Sequence, residues 1–143
     1  MANVNSPNGF TPAYHMSGGT IRPSEFAIAS GTNASIFSGD VVNLSSGLVI
    51  QGTATGAPLG VFAGVEYQAT DGSVVFSKVW TADVATLGAA NAKAYVYSDP
   101  DIVYEAQSTG TPTQASIGTT NTISTTAGDS NTGRSKEGVT TTT

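Results

Sequence analysis

The stretch "LGVFAGVEYQATDGSVVFSKVW", residues 59–80, contains two apolar segments separated by a short polar turn. Both segments are rich in valine and aromatic residues, which favour β-strands. The pair Asp71-Gly72 is a strong signal for a two-residue type I′ hairpin turn. With that turn, Tyr67 lies opposite Phe76. The stretch therefore predicts an antiparallel hairpin, and the register of this hairpin decides which side chains enter a core.

The predicted hairpin carries apolar side chains on both faces, whereas a strand buried on one face alternates apolar and polar residues. One face holds Tyr67, Phe76 and Trp80 and suits a core. The other face mixes polar and apolar side chains, which is typical of a surface covered by a tail or by another subunit. We predict that its apolar members are interface residues, namely Phe62, Val75 and Val79. Lys78 falls on the core face, so either it reaches past the sheet edge or a longer turn shifts the register by one.

Strand patterns continue through residues 20–106, the predicted body. The segment "SGDVVNLSSGLVIQG" predicts strands at about 41–44 and 48–51, and "KAYVYSDPDIVYEAQ" predicts strands at about 93–97 and 101–106. Short strands separated by frequent turns are typical of an all-β sandwich or barrel. We therefore predict a small β-barrel or sandwich of short antiparallel strands.

Three residues refine this prediction. Pro23 lacks a backbone N–H, which confines the strand in "TIRPSEFAIAS" to a sheet edge or a bulge. Gly60 and Gly64 lie in one strand, where glycine marks a bend, a bulge or a close backbone approach. They indicate a strand that curls around a small barrel, and a glycine-tolerant edge strand is the alternative.

Both ends of the chain differ from the body. Residues 1–19, "MANVNSPNGFTPAYHMSGG", show no helical or strand period and are predicted to form an extended N-terminal arm. We expect its anchors on a neighbouring surface to be Phe10, Tyr14 and His15; a loose terminus is the alternative. In residues 107–143, 18 of 37 side chains are Ser or Thr. Such a segment cannot build a core, so we expect it to order only against the body or a neighbour, with the final "GVTTTT" frayed or partner-bound.

The composition limits the classes of function. Only 10% of the residues are charged and the net charge is −5, against roughly 25% charged residues in average soluble domains. The five Lys and Arg residues are scattered, which argues against binding of nucleic acid. The chain has no cysteine, so disulfides and cysteine-ligated metals are excluded. We also expect no secretory signal at the N-terminus and no membrane-spanning helix.

Residues with catalytic potential are few. His15 is the only histidine, no serine lies in a G-x-S-x-G elbow, and neither a P-loop nor a zinc motif is present. Asp99 and Asp101 have a spacing that could supply two ligands to a calcium ion, but the loop lacks the other carboxylates and the turn glycine of a known calcium-binding motif. Capping of the turn is the favoured role for both. We therefore predict a protein without enzymatic activity, cofactor or metal.

Six segments, taken in order, resemble the head-decoration, or cement, proteins of tailed phages, including phages of cyanobacteria and other aquatic hosts. The segments are "NSPNGFTPAYHMSGGTIR", "ASIFSGDVV", "LGVFAGVEYQATDG", "FSKVW", "AYVYSDPDIVYEAQ" and, more weakly, "SIGTTNTISTTAGDSNTGRS". The resemblance implies a protein that binds the outer surface of an assembled head and clamps adjacent subunits of the major capsid protein. It also implies a homotrimer, assembly in the host cytoplasm, residence on the virion, and no enzymatic activity or cofactor.

Two other classes of function remain open from the residues alone. One is a different virion component, such as a head fibre base, a tail protein or a host-binding adhesin module, because β-rich assembly proteins share this composition. Copy number per particle separates this class from cement proteins. The other is a virion hydrolase acting on polysaccharide, which would need carboxylates converging in a cleft.

Overall fold

The computed structural model describes residues 5–88 and 92–141, and over these residues the fold is all-β, as the sequence predicts. The strands are β1 Thr11–His15, β2 Ser24–Ile28, β3 Ile36–Phe37, β4 Val41–Ser45, β5 Leu48–Gln51, β6 Gly60–Gln68, β7 Val74–Ser77, β8 Val79–Trp80, β9 Ala92–Tyr97, β10 Ile102–Glu105, β11 Thr122–Ser124 and β12 Gly138–Thr140. A 3-10 turn covers Gln114–Ser116. Within the described ranges, no helix combines the length and the apolarity needed to cross a membrane.

Five strands close into a barrel. Around the ring, β4 pairs with β5, β5 with β2, β2 with β9, β9 with β6, and β6 returns to β4. Closure removes the free edges that an open sheet of this size would expose. The β2–β5 pairing is parallel, through Ile28 and Val49, and the other pairings of the ring are antiparallel. β7 extends the wall by pairing with the far end of β6.

The two glycines of β6 permit this closure. Gly60 lies opposite Val42 where β6 meets β4, and a Cβ at this position would collide with the carbonyl oxygen of Tyr97. Near Gly64 the pairing of β6 with β9 shifts its register. The prediction that these glycines mark a strand curling around a barrel is therefore confirmed, and a close backbone approach explains Gly60.

The barrel interior is filled by a few large side chains and many small ones. Strand β9, "AKAYVY", alternates buried residues with more exposed ones, and its buried members are small. They leave room for Phe62 and Trp80, both fully buried. The Trp80 ring packs edge-on against the Tyr67 ring, with centroids 5.6 Å apart and planes at 82°. The fully or almost fully buried core residues are Ile28, Ile36, Val42, Val49, Phe62, Val65, Trp80, Ala92, Ala94 and Val96.

The predicted hairpin exists, but its register differs by one residue from that of a two-residue turn. Tyr67 lies opposite Val75, not Phe76. The Ala69 N–H donates to the Ser73 carbonyl at 2.8 Å, which leaves three residues in the loop. Gly72 ends that loop at φ +90°, as in hairpins that combine a type I turn with a left-handed residue. The type I′ prediction is therefore wrong.

This one-residue shift exchanges the two faces of β7. Phe76 was predicted to lie in the core and is instead exposed, while Val75 turns inward and is half-buried. Lys78 leaves the core face and is exposed. Of the two explanations for its position, the longer turn is the one observed.

The edge position predicted from Pro23 is also wrong. Strand β2 lies between β5 and β9 and pairs with β9 along its whole length. Pro23 immediately precedes Ser24, the first residue of the strand. A proline before the first residue of a strand removes no N–H from the hydrogen bonds between strands, so the strand need not lie at a sheet edge.

Part of the predicted arm is a strand on its own chain. β1 pairs with β10, from Thr11 opposite Glu105 to His15 opposite Ile102. The expectation of no regular structure in residues 1–19 is wrong for this segment, because a strand paired along its neighbour needs no apolar alternation of its own. Residues 1–4 lie outside the described residues.

The Ser/Thr-rich segment also lies against the barrel of its own chain. β11 pairs with β12, Ser38 bridges to Arg134, and Ser135 and Glu137 are buried. "GVTTTT" was expected to be frayed or partner-bound, but its first three residues form β12, which pairs with β11 of the same chain. Its last two residues lie outside the described residues. The segment orders through buried polar contacts with the barrel, which its composition alone does not reveal.

Candidate functional site

Strand β7 presents an apolar surface beside the barrel. Phe76 is 72% exposed and Val74 is 57% exposed, and residues two apart on a strand share a face. In the described part of the chain, β7 pairs with β6 and with no other strand. Phe76 lies opposite Glu66, whose carboxylate accepts a hydrogen bond from the Tyr95 hydroxyl at 2.7 Å. An apolar centre bordered by bonded polar groups is the usual composition of a protein contact surface.

We call Val74, Phe76 and the adjoining residues Glu66 and Tyr95 the β7 surface. A shallow hollow runs beside Phe76 and is lined in part by Gly64 and Tyr95. The hydrogen bond to Glu66 is the main cause that raises the pKa of Tyr95, so this phenol remains a neutral donor near pH 7. The surface can bind apolar groups and offers fixed polar contacts around them.

The six predicted interface residues are not brought together in one surface. Phe62 is fully buried in the barrel and has no surface to offer a partner, so its prediction is wrong. It assumed unbroken alternation along β6, which the register shift between Phe62 and Gly64 interrupts. Val75 and Val79 are half-buried. Val79 is approached by Gly133 of the C-terminal segment, where an added Cβ would lie 3.2 Å from a Val79 methyl. The tail of the same chain therefore covers this part of the second face.

The three predicted anchors of the arm have different environments. Phe10 is half-buried and its N–H donates to the Gly39 carbonyl at 2.9 Å. The Tyr14 side chain is exposed, at 58%. The His15 side chain is only 9% exposed. Tyr14 is thus the one predicted interface residue that is exposed in the described chain, and its contact role stays a prediction.

His15 joins the arm to the β9–β10 turn. Its Nε2 lies 3.0 Å from an Asp99 carboxylate oxygen, and its Nδ1 accepts from the Ser17 N–H at 3.3 Å. Because Nδ1 accepts, the neutral ring carries its proton on Nε2 and donates it to Asp99. The other Asp99 oxygen accepts from the Asp101 N–H at 2.9 Å. The Asp101 N–H is the main cause that lowers the pKa of Asp99, and His15 adds to it.

These contacts bear on metal binding and on nucleophilic catalysis. Candidate ligand atoms of His15, Asp99 and Asp101 lie within 4.8 Å of one another, but both ring nitrogens of His15 already bond protein groups. Asp99 caps its turn, which is the role that the sequence favoured over a calcium ligand. The Ser17 hydroxyl lies 2.9 Å from His15 Nδ1, so Ser17, His15 and Asp99 are joined in series by hydrogen bonds.

That connection lacks the donors of an acyl-transfer site. An oxyanion needs free N–H groups beside the nucleophile. The Ser17 N–H is bonded to His15 Nδ1, and the Gly18 N–H is bonded to the His15 carbonyl. The arrangement is a local turn between residues two apart, and it holds the end of β1 against β10.

An apolar cleft of about 360 Å³ lies between the arm, the barrel and β11. Its lining includes Phe10, Leu59, Ile102 and Ile123. Tyr104 also lines it and donates its hydroxyl to the Tyr97 carbonyl at 2.9 Å. Burial raises the pKa of Tyr104 to about 12. The phenol therefore stays protonated at neutral pH, and the cleft suits an apolar side chain better than it suits proton transfer.

In comparisons with family models, curated proteins and solved structures, none matches the chain. The class that the geometry defines is a small closed β-barrel with an added strand that exposes apolar side chains.

Proposed function

We propose that this β-barrel is a head-decoration protein of a tailed phage, which binds the outer surface of the head and clamps adjacent subunits of the major capsid protein. The observation that carries the proposal is the β7 surface, where Phe76 and Val74 are exposed on the strand added to the barrel. Large apolar side chains grouped on an exposed strand mark a contact surface in a soluble protein. The resemblance of the sequence segments to cement proteins supports the same class.

The partners in this proposal are the major capsid protein and further copies of the chain in a homotrimer. A trimer touches several capsid subunits at once, so each contact raises the effective concentration for the next. Binding to the expanded lattice alone stabilises that lattice by mass action. The protein therefore needs no reactive group, and weak individual contacts are sufficient.

The expected result of Phe76→Asp is a loss of head binding without a loss of fold. A carboxylate at the centre of the β7 surface would have to be desolvated on docking, which we expect to weaken binding by a hundredfold or more. Binding is measured by co-sedimentation of the purified chain with heads prepared without it. Circular dichroism checks that the variant is folded.

Ile117→Asp is the matched control, because Ile117 is also 72% exposed but lies in the C-terminal segment. We expect this variant to bind heads as the wild type does. Equal binding by wild type and Phe76→Asp would overturn the role of the β7 surface. A copy number far below that of the lattice positions would instead indicate a tail or fibre component.

A further inference from the structure

A buried carboxylate of the C-terminal segment accepts a hydrogen bond from strand β4 of the barrel. Glu137 is 1% exposed, and its Oε2 accepts a hydrogen bond from the Val41 N–H at 2.8 Å. Ser135, also 1% exposed, donates its N–H to the Ser38 carbonyl at 3.0 Å. Its hydroxyl accepts from the Glu137 N–H at 3.0 Å. These bonds hold residues 129–141, which we call the C-terminal clasp, against the β3–β4 corner.

A second buried carboxylate lies at the same corner. Asp40 is 1% exposed, and its Oδ2 accepts from the Phe37 N–H at 2.8 Å. Its Oδ1 is buried and has no hydrogen-bond partner among the described residues. The Ser135 hydroxyl is close enough to lower the pKa of Asp40, but it does not reach hydrogen-bonding geometry. An unpaired buried carboxylate oxygen is costly when charged, and a proton on it removes most of that cost.

No cation compensates the two carboxylates in the described part of the chain. The ion pairs found there join His15 to Asp99, Lys93 to Glu25 and Lys136 to Asp129. Lys136 and Arg134 belong to the clasp itself, but both are exposed, while Asp40 and Glu137 are buried. The charge of Asp40 acts directly on Glu137. Two like charges in a buried site cannot both form without a large penalty.

We propose that the C-terminal clasp is a proton-dependent latch, which is closed while the Asp40–Glu137 pair holds a proton and is released when both carboxylates are charged. Burial is the main cause that raises the pKa of Glu137 from 4.5 to about 7, and the Asp40 charge adds to the rise. Burial also raises the pKa of Asp40. The latch does not rest on the proposed function and concerns the isolated chain.

The sign of the pH dependence follows from linkage. In the open state Glu137 is solvated and titrates near 4.5, whereas in the closed state it titrates near 7. Between these values the closed state binds more protons than the open state. The stabilisation that Glu137 gives the closed state is therefore fully present below about pH 4.5 and is lost as the pH rises through about 7. Above that pH Glu137 is deprotonated in both states, and the free energy of closure no longer depends on pH.

Hydrogen exchange of the full-length chain at about pH 5 and about pH 8 tests the latch. After correction for intrinsic exchange rates, the opening constant reported by the Val41 and Ser135 amides is expected to be at least tenfold larger at the higher pH, because linkage permits up to tenfold per pH unit. The Ala94 amide, inside the barrel wall, is expected to change much less. Equal opening constants at both pH values would overturn the proposal.

Glu137→Gln keeps an oxygen for the Val41 N–H and carries no charge. We expect its opening constants at the two pH values to agree within about twofold, whereas Glu105→Gln, at an exposed carboxylate, is expected to keep the wild-type dependence. Should Glu137→Gln not fold, Asp40→Asn provides the second test. It removes the like charge, so the midpoint of opening is expected to shift to lower pH. An unchanged dependence in the folded variant, or an unchanged midpoint in Asp40→Asn, would refute the latch.

Discussion

Phe62→Asp is expected to unfold the barrel. Phe62 is fully buried among the ring strands, so the substitution removes a large core side chain and places a carboxylate among apolar side chains. Loss of a buried phenylalanine costs about 3–5 kcal/mol, and the unpaired charge adds several more. The sum is comparable with the whole stability of a small domain, roughly 5–15 kcal/mol. Circular dichroism and urea denaturation measure the result.

Phe76→Asp is the natural comparison, because the structure places these two phenylalanines opposite to the sequence prediction, with Phe62 buried and Phe76 exposed. Phe76 is largely exposed, and a surface substitution of this kind changes stability by less than about 0.5 kcal/mol. A folded Phe62→Asp protein that fails to self-associate would support an exposed, interfacial Phe62. It would contradict the burial of Phe62 in the barrel.

Trp80→Ala is expected to have the second largest effect on stability. Trp80 is fully buried and packs edge-on against Tyr67. Truncation to alanine leaves a cavity in the hydrophobic core, with an expected loss of about 3–5 kcal/mol in the free energy of unfolding. The midpoint of urea denaturation should fall accordingly, and the slope of the transition should stay near that of the wild type.

Trp80→Phe separates packing from hydrogen bonding. The Trp80 indole N–H is buried without a partner among the described residues, so the smaller ring removes an unsatisfied donor together with some volume. We expect a loss of about 1–2 kcal/mol, clearly less than for alanine. Equal losses for the two variants would mean that the ring does not fill the barrel.

The barrel was predictable from the sequence to a useful degree. The strands at 41–44 and 48–51 agree with β4 and β5 within one residue, because each apolar run is bounded by turn residues. Gly60 and Gly64 correctly indicated a curling strand. Register was the weak point, since "ATDGS" fits a loop of two or of three residues, and a shift of one residue moves every side chain of a strand to the opposite face.

The candidate surface was harder to predict for the same reason. Phe76 was assigned to the core because of the assumed loop length. Phe62 was assigned to an interface because strict alternation along β6 does not allow for the register shift between Phe62 and Gly64. Glu137 and Asp40 gave no local signal, since their proximity depends on a tail that folds back over 97 residues of chain to reach position 40.

The measurement that tests the proposed function most directly is a cryo-EM map of tailed-phage particles saturated with this chain. We expect density for the barrel at every equivalent position of the outer head lattice, with Phe76 and Val74 buried against a neighbouring subunit. Density for the barrel confined to the tail, or a head lattice that lacks it entirely, would contradict the proposal.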